Sequence, residues 1–333
     1  MQQHTHTNPL SFTRRKALAA LSVLTAPLAA SAWAQPEVLH FPTKPVTLVV
    51  PYSAGGGTDI VGRLVAQRLS ELWGQSVVVD NRTGANGVIG TAHVAKSPPD
   101  GHTLLLVVGS HAINPVLMKS LPYDTATAFT PLTNIASSPA VLVAAANGPY
   151  KTLSDVVRAG RSTELAAGYS EGQTRLTVEM IRQAGKLQMV GVPYKGGAPI
   201  MVDVIGGHLP LGVTSVLTAL PHVQSGALRV VGVATDKRMP IFPEAMTFDE
   251  LGIQGVDSVN WYGLFGPAGM PDPLVGQIVR DVRKVMSGPA MADQMRGQGA
   301  QLVLSSSQDF RRFVATEATK WALVARRGGI GAE

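Results

Sequence analysis

The sequence predicts an α/β fold, in which mainly parallel strands are buried between helices. Short apolar runs alternate along the chain with segments of helical periodicity, an order typical of a parallel sheet with helices on both faces. The predicted strands are 46–50, 77–79, 104–108, 141–144, 165–167, 189–192, 230–233 and 264–265. No repeat of fixed period and no low-complexity linker divides the chain.

The segment 58–73 has the clearest helical pattern. Val61 and Val65 fall on one face, whereas Arg63 and Gln67 fall on the opposite face. Because this segment follows the first predicted strand directly, it supports the strand–helix–strand order of a parallel sheet. Further helices are predicted at 153–159, 174–184, 198–205, 273–286 and 309–325.

The first 34 residues carry the pattern of a secretory signal peptide. Arg14 and Arg15 precede an apolar run at 17–32, which ends at the small-x-small cleavage site Ala32-Trp33-Ala34. The paired arginines favour twin-arginine export, but Ala17 stands where that signal usually has a large apolar residue, so the general secretory route stays open. Either route ends outside the cytoplasm, and we therefore expect an exported protein without a membrane span.

Charge and composition argue against a nucleic-acid-binding protein. The formal net charge is +6, and removal of residues 1–34 deletes three positive charges and leaves +3. Aromatic residues make up 5% of the chain, and lysine and arginine form no dense stripe.

Cysteine is absent, so core burial must stabilise the exported protein without disulfides. A mature chain of about 300 residues is long enough for such a core and suits about two domains.

The most informative segment is the turn between the first strand and its helix, where Gly55, Gly56 and Gly57 follow one another. Backbone N–H groups of such a turn can point at a ligand without obstruction by Cβ atoms, and a helix N-terminus adds about half a positive charge. The turn therefore predicts an anion site. The alternative is a tight turn without a ligand, followed by a helix that Thr58 or Asp59 caps.

Nucleotide binding is the competing interpretation of the same turn. A phosphate-binding P-loop requires a lysine after its last glycine, and Thr58 stands there instead. A dinucleotide site stays open, because Gly55-x-Gly57 follows a strand and Asp80 ends the next strand where a ribose-binding carboxylate belongs. Ile60 replaces the third glycine of that motif. An exported enzyme with a Rossmann-like lobe thus stays an alternative.

Other catalytic chemistry is poorly represented. The histidines are scattered without metal-ligand spacing, and the chain has no thiol and no Gly-x-Ser-x-Gly elbow. We therefore expect a protein that is not an enzyme and that holds no metal and no cofactor.

Six ordered motifs cover essentially the whole mature chain, at 44–52, 55–59 with Arg63, 81–87, 99–105, 192–199 and 261–269. Through them the sequence resembles the substrate-binding proteins of tripartite tricarboxylate transporters, the Bordetella uptake gene family. The resemblance implies a type II-like periplasmic binding protein with two lobes, each a mainly parallel sheet flanked by helices. It also implies a ligand carboxylate held in the cleft between the lobes, largely by backbone amides and bridging waters.

The resemblance also implies the organisation of the chain and its partners. Lobe one is expected at 36–138 and 259–333, lobe two at 139–258, and hinge closure about 136–142 and 258–263. The expected partners are a small carboxylate and, transiently, the subunits of a membrane transporter, and the protein is expected to be a monomer. A ligand sensor for a membrane receptor is the alternative to a transport role.

Carried over to this chain, the resemblance indicates two groups of ligand-binding residues. The first-lobe group is Tyr52, Ser53, Gly55, Gly56, Thr58 and Asp59, with Asn86 and Ser110 at the same mouth. The second-lobe group is Ser170, Gln173, Thr174 and Arg175. The turn at 84–87, which holds Asn86, has the alternative interpretation of a loop without ligand contact.

The second-lobe loop departs from the family pattern, which is richer in glycine and serine. Gln173 and Arg175 replace small or neutral residues here. An arginine at a helix start can bind a second carboxylate with two parallel hydrogen bonds, which favours a di- or tricarboxylate or an aromatic carboxylate as the ligand. Alternatively, Arg175 lies on the solvated helix face and pairs with Glu171 or Glu179.

Overall fold

A computed structural model describes residues 1–4 and 40–330, and the fold below is that of residues 40–330. Its strands are β1 (Val46–Val50), β2 (Val77–Asn81), β3 (Thr103–Val107), β4 (Phe129–Ala145), β5 (Leu165–Tyr169), β6 (Met189–Pro193), β7 (Leu211–Ser215), β8 (Leu228–Val233), β9 (Met246–Thr247), β10 (Val259–Pro267) and β11 (Gln301–Leu302). The apolar run and cleavage site of the predicted signal peptide lie outside the described residues.

Helices follow most of the strands. They are α1 (Gly57–Trp73), α2 (Val88–Ala95), α3 (Ser110–Leu117), α4 (Leu153–Gly160), α5 (Gly172–Gly185), α6 (Gly197–Ile205), α7 (Val216–Gln224), α8 (Asp272–Met286), α9 (Pro289–Gly297) and α10 (Ser307–Arg327). None of these described helices combines the length and the apolar character that a membrane span requires.

Every strand and helix predicted from the sequence overlaps an observed element, so the α/β class is confirmed. The pattern missed three strands, β7, β9 and β11, and four short helices, α2, α3, α7 and α9. Two of these helices, α3 and α7, contain Pro115 and Pro221. Proline in a helix interior removes a backbone hydrogen bond, and periodicity therefore gives such short segments little weight.

The strands form a mixed sheet with two parts that share β4. In the first part the order is β2-β1-β3-β10-β4, with β11 beside β4; β1, β2 and β3 are parallel, and β10 is antiparallel to β3 and β4. In the second part β4 lies antiparallel to β7 and β8, and β7, β5 and β6 are parallel. We call these parts the first and the second sheet.

The chain changes sheets within β4. Pro139 still pairs with Val259 of β10, whereas Ala140 pairs with Ser215 of β7. The N–H of Ala140 donates to the carbonyl oxygen of Ser258 at 2.9 Å. The outgoing and the returning segments of the chain are therefore hydrogen-bonded side by side at the crossing.

Alternate residues of the first sheet face different helical layers. Leu48 belongs to the apolar cluster that includes Val61 of α1, whereas its neighbour Val49 belongs to the cluster that includes Phe310 of α10. Successive side chains of a strand point to opposite faces, so helices cover both faces of this sheet. This explains why the strands read as continuous apolar runs instead of alternating patterns.

Candidate functional site

Four helices begin around a small cavity, here called the cleft cavity. Its wall includes Gly57 at the start of α1, Glu171 at the N-terminal cap of α5, Gly197 at the start of α6, and Ser215 immediately before α7. The helix α1 follows a strand of the first sheet, and the other three follow strands of the second, at the carboxyl ends where α/β folds bind ligands. Because each helix N-terminus carries about half a positive charge, the cavity favours an anion.

The cleft cavity is small and has unpaired polar groups in its wall. Its volume is about 30 Å³, which is room for about two water-sized atoms. Asn260 and Tyr262 of β10, which are 4% and 1% exposed, belong to this wall. Their Nδ2 and Oη atoms are buried without a hydrogen-bond partner. Unpaired buried donors are costly, so both are suited to donate to an oxygen that enters the cavity.

Gly57 packs closely against two hydroxyl groups of this wall. A Cβ atom at position 57 would lie 2.5 Å from Tyr262 Oη and 2.7 Å from Ser215 Oγ. The two hydroxyl oxygens therefore lie against the Cα atom of Gly57, and the wall has no room for a side chain at this position. Burial raises the pKa of the Tyr262 hydroxyl, which keeps it protonated as a donor at neutral pH.

The side chain of Asp59 stabilises the glycine turn by hydrogen bonds. Its carboxylate accepts hydrogen bonds from the backbone N–H of Gly55 at 2.9 Å, from Nε of Arg63 at 2.8 Å and from Nδ2 of Asn81 at 3.0 Å. Burial alone would raise the pKa of Asp59, but these hydrogen bonds hold it below its ordinary value. Asp59 is therefore an ionised support of the turn.

The prediction that Thr58 or Asp59 caps α1 is wrong. The N-cap residue is Gly56, and no side chain caps the helix. Asp59 lies one turn too far along and bonds back to Gly55, and Thr58 is already helical and faces the cleft cavity. The first N–H groups of α1 therefore receive no acceptor from a cap side chain.

Two hydrogen bonds join the glycine turn to the second sheet. The N–H of Gly57 donates to Oγ1 of Thr218 at 2.8 Å, and the N–H of Ser53 donates to the carbonyl oxygen of Lys195 at 3.1 Å. A Cβ atom at Gly196 would lie 1.9 Å from Oγ of Ser53, so the two loops are in direct contact. The structure therefore describes a closed conformation of the cleft.

Tyr52 links the cleft cavity to α3. Its hydroxyl and the hydroxyl of Ser110, the first residue of α3, form a buried hydrogen bond. Burial raises the pKa of Tyr52, and the negative charge of Glu171 raises it further. Tyr52 is thus a neutral residue between the cleft cavity and the larger space beside it.

Glu171 is a buried carboxylate in the wall of the cleft cavity. It is 4% exposed, and it accepts hydrogen bonds of 2.8 Å from the backbone N–H groups of Gln173 and Thr174. Burial raises its pKa, although these hydrogen bonds act in the opposite direction. The interpretation of Glu171 as a surface partner of Arg175 is therefore wrong, because its side chain is the buried N-cap of α5.

Two larger cavities continue from the cleft cavity. The body cavity, of about 470 Å³, shares Tyr52 and Ser170 with it and includes Asn86 and Tyr194. The arginine cavity, of about 210 Å³, shares Asn86, Ser170 and Tyr194 with the body cavity, and Arg175 lies in its wall. The three cavities are therefore neighbours, and Ser170 borders all of them.

The structure brings many of the predicted site residues to these cavities. Residues in their walls are Tyr52, Gly56, Thr58, Asn86, Ser170, Thr174 and Arg175. The other predicted residues do not line these three cavities; they are Ser53, Gly55, Asp59, Ser110 and Gln173. Gln173 is fully buried, and its Nε2 donates to Oγ of Ser258 at the chain crossing. Asn86 forms hydrogen bonds with Asn114 of α3, and these fix the turn at 84–87.

Several wall residues were missed by the sequence analysis. Glu171 had a local signal, since a side-chain acceptor followed three residues later by threonine can form a capping box. Thr218 and Asn260 carry no local signal, because the sheet pairing alone brings them to the cavity. Within residues 1–4 and 40–330, no three His, Asp or Glu side chains are placed to hold a metal ion.

Comparisons with known proteins show the family of this chain. The family profile described as "Tripartite tricarboxylate transporter family receptor" matches residues 61–330. BugT of Bordetella pertussis is 31% identical over 326 residues, which cover 96% of this chain and 99% of BugT.

Solved structures give the same fold. A Rhodopseudomonas palustris protein solved with adipate is 34% identical, with a TM-score of 0.85 over 88% of this chain and 100% of that one. MatC of Rhodopseudomonas palustris, solved with bound malate, is 27% identical, with a TM-score of 0.80 over 85% of this chain and 99% of MatC. The structural likeness confirms the predicted fold class.

Proposed function

Because the chain belongs to the tripartite tricarboxylate transporter receptor family, we propose that it is a periplasmic solute-binding protein that captures a small carboxylate. The observation that carries this proposal is the cleft cavity, where four helix N-termini meet the unpaired donors of Asn260 and Tyr262. Backbone and hydroxyl donors of this kind bind an anion without a buried cation.

The set of neighbouring cavities supports a carboxylate with an extended body. The cleft cavity has room for the two oxygens of one carboxylate, and the body cavity accommodates the rest of a small acid. Lys195 lies in the wall of the body cavity and Arg175 in that of the arginine cavity, so cations flank the far end. The R. palustris relatives were solved with adipate and malate, which are both dicarboxylates. These features support a di- or tricarboxylate, or an aromatic carboxylate, as the ligand.

The division into lobes at 36–138 with 259–333 and at 139–258 is part of this proposal. The change of partner strand between Pro139 and Ala140 supports it, and so does the hydrogen bond of Ala140 to Ser258 at the return crossing. A rotation about these two adjacent segments would separate the glycine turn from Thr218 and open the cleft.

The remaining parts of the proposal concern export and delivery. Cleavage after Ala34 would release a mature protein that begins at Gln35, and amino-terminal sequencing of periplasmic protein tests this. The loaded protein would then dock transiently on the membrane subunits of its transporter. We assign it no catalytic step, because the family to which it belongs is one of transporter receptors.

A thermal-shift panel tests the binding function. We expect adipate, malate or terephthalate to raise the melting temperature by several degrees, whereas the neutral analogue adipamide should not. A ligand at a hundredfold excess over its Kd stabilises the folded form by about 2.7 kcal/mol, at about 2–4 °C per kcal/mol for a chain of this size. Mass spectrometry should recover the ligand unchanged. Failure of every carboxylate would refute the proposal, and accumulation of product would favour the enzyme alternative.

A further inference from the structure

Glu171 places a carboxylate inside the cavity that is proposed to bind a carboxylate. Its side chain lies in the same wall as Gly57 and Tyr262. The side chain is held there, because Oε1 accepts from the N–H of Thr174 and Oε2 from the N–H of Gln173, both at 2.8 Å. A rotation out of the cavity would leave two N–H groups of α5 without acceptors. The ligand must therefore bind beside this group.

The groups that face Glu171 across the cavity are neutral. Tyr52 approaches from the β1 side and Tyr262 from β10, and burial and the Glu171 charge both raise the pKa of each hydroxyl. From α3, the backbone of Ser110 acts on the carboxylate and lowers its pKa. On its own helix, Arg175 lies in the wall of the arginine cavity. In the lining of the cleft cavity, Glu171 is therefore the charged side chain, and the other polar groups are neutral.

Two ionised carboxylates in one small buried cavity repel each other, and such pairs hold one proton between them. Building on the function proposed above, we propose that Glu171 takes up one proton from solvent when the ligand carboxylate enters the cleft cavity. The ligand stays ionised at the start of α1. A protonated Glu171 oxygen keeps a lone pair for its N–H partner and gains an O–H that can donate to the ligand carboxylate.

Burial supports this assignment, because it already raises the pKa of Glu171 in the closed conformation. Addition of a proton near neutral pH is therefore less costly than for an exposed glutamate. The consequence is a receptor that binds its solute more tightly as the pH falls. Where one proton is taken up per ligand, the Kd should rise by up to about tenfold per pH unit.

Calorimetry between about pH 7 and pH 9, where the free dicarboxylate is fully ionised, tests the proposal. The probe is adipate, or malate or terephthalate where that acid gives the larger thermal shift. Titrations in triethanolamine and in Tris, two cationic buffers that differ in ionisation enthalpy, count the protons taken up. For the parent protein we expect uptake approaching one proton at the upper end of this range, and a Kd that rises with pH.

Glu171→Gln keeps an amide oxygen for the cap of α5, and this variant should bind with no proton uptake and a Kd independent of pH. Glu179→Gln, on the same helix but outside the cleft cavity, is the matched control and should retain the parent behaviour. Ligand binding by the parent protein without proton uptake would overturn the role of Glu171 and leave the binding function standing. If Glu171→Gln does not fold, the proton count of the parent alone decides. Absence of binding by all three acids would overturn the function and the proton uptake together.

Discussion

The backbone N–H of Gly57 donates a hydrogen bond to Oγ1 of Thr218, 2.8 Å away. Gly57 begins α1 after a strand of the first sheet, and Thr218 lies in the first turn of α7, after a strand of the second. The same N–H belongs to the glycine turn that the sequence indicates as an anion site. The turn of the predicted anion site is therefore hydrogen-bonded directly to a helix of the second sheet.

Gly57→Ala should remove ligand binding while preserving the fold. Its methyl group would lie 2.5 Å from Tyr262 Oη and 2.7 Å from Ser215 Oγ, so these two hydroxyl groups of the cavity wall would have to move. Overpacking of this kind costs roughly 1–3 kcal/mol, so we expect the affinity for adipate to fall by about ten- to a hundredfold. Calorimetry measures the affinity, and circular dichroism checks the fold.

Gly297→Ala is the matched control for this change. A Cβ atom at position 297, the last residue of α9, would meet no atom within 4 Å, and this residue lies outside the three cavities. Affinity within about threefold of the parent is expected. An equal loss in both variants would count against a specific role of the cavity wall at Gly57.

Thr218→Val should open the ligand-free cleft. The substitution keeps the size of the side chain and removes the acceptor of the Gly57 N–H. A hydrogen bond of this kind contributes about 0.5–1.5 kcal/mol net, so the ratio of closed to open molecules should fall by about two- to tenfold. Small-angle scattering of the ligand-free protein should show a larger radius of gyration. Thr319→Val, at an exposed position of α10, should leave the scattering profile unchanged, and an unchanged profile for Thr218→Val would refute its role in closure.

The parts of the site that are local in the chain could be predicted from the sequence. The run of glycines after β1 indicates a turn. Apolar runs and helical periodicity indicate the strands and helices around it. The wall of the cleft cavity opposite the glycine turn could not be predicted in this way. Thr218 and Asn260 reach the cavity through the crossing within β4 and the return into β10, which are contacts between distant segments. A single sequence does not encode such register locally.

The burial of Glu171 also depends on contacts between distant segments, which the local sequence does not show. Glu171 looks like a surface residue, because glutamate is rarely buried and a possible partner, Arg175, stands four residues later. The structure buries it because the start of α5 faces the cleft cavity, where the side chain satisfies two N–H groups of its own helix. Asp59 was likewise expected to contact the ligand or cap α1, but it supports the turn from behind.

Arg175→Ala should discriminate between one and two carboxylates on the ligand. Arg175 is half-buried in the wall of the arginine cavity, and its charge also lowers the pKa of Glu179, after the larger effect of Arg182. The free energy of a partly exposed ion pair lies between that of a surface pair and that of a buried pair. We expect the Kd for adipate to rise about tenfold, or about 1.4 kcal/mol. Hexanoate, which has the same length and one carboxylate, should bind the variant as it binds the parent.

Arg182→Ala provides the control for the loss of a positive charge on the same helix. Arg182 pairs with Glu179 and lies in none of the three cavities, so its removal should change neither Kd by more than about twofold. If Arg175→Ala weakened adipate and hexanoate equally, Arg175 would act on the fold of α5 and not on a second carboxylate. Unchanged adipate binding would place the far end of the ligand elsewhere, with Lys195 as the next cation to test.

His111 should make the protein less stable in mild acid. Its ring is buried between Phe129 and Phe265, with centroids 4.9 and 4.6 Å away, and both ring nitrogens lack a hydrogen-bond partner. Burial lowers the pKa of His111 from 6.5 to about 3. The unfolded chain therefore binds a proton first as the pH falls. Stability is fully present above about pH 6.5 and is lost as the pH falls towards about 3, at up to about 1.4 kcal/mol per pH unit.

His111→Phe should flatten this dependence, because the new ring packs among the same aromatic residues and has no proton to bind. The measurement is the melting temperature at about pH 7 and about pH 5. The parent protein should lose roughly 2 kcal/mol more over this interval than the variant, which corresponds to about 4–8 °C for a chain of this size. The comparison uses the slope with pH, so a uniform packing penalty from the slightly larger ring does not affect it. The same substitution at the exposed His208 should leave the slope of the parent, and equal slopes for parent and His111→Phe would show that His111 does not control acid stability.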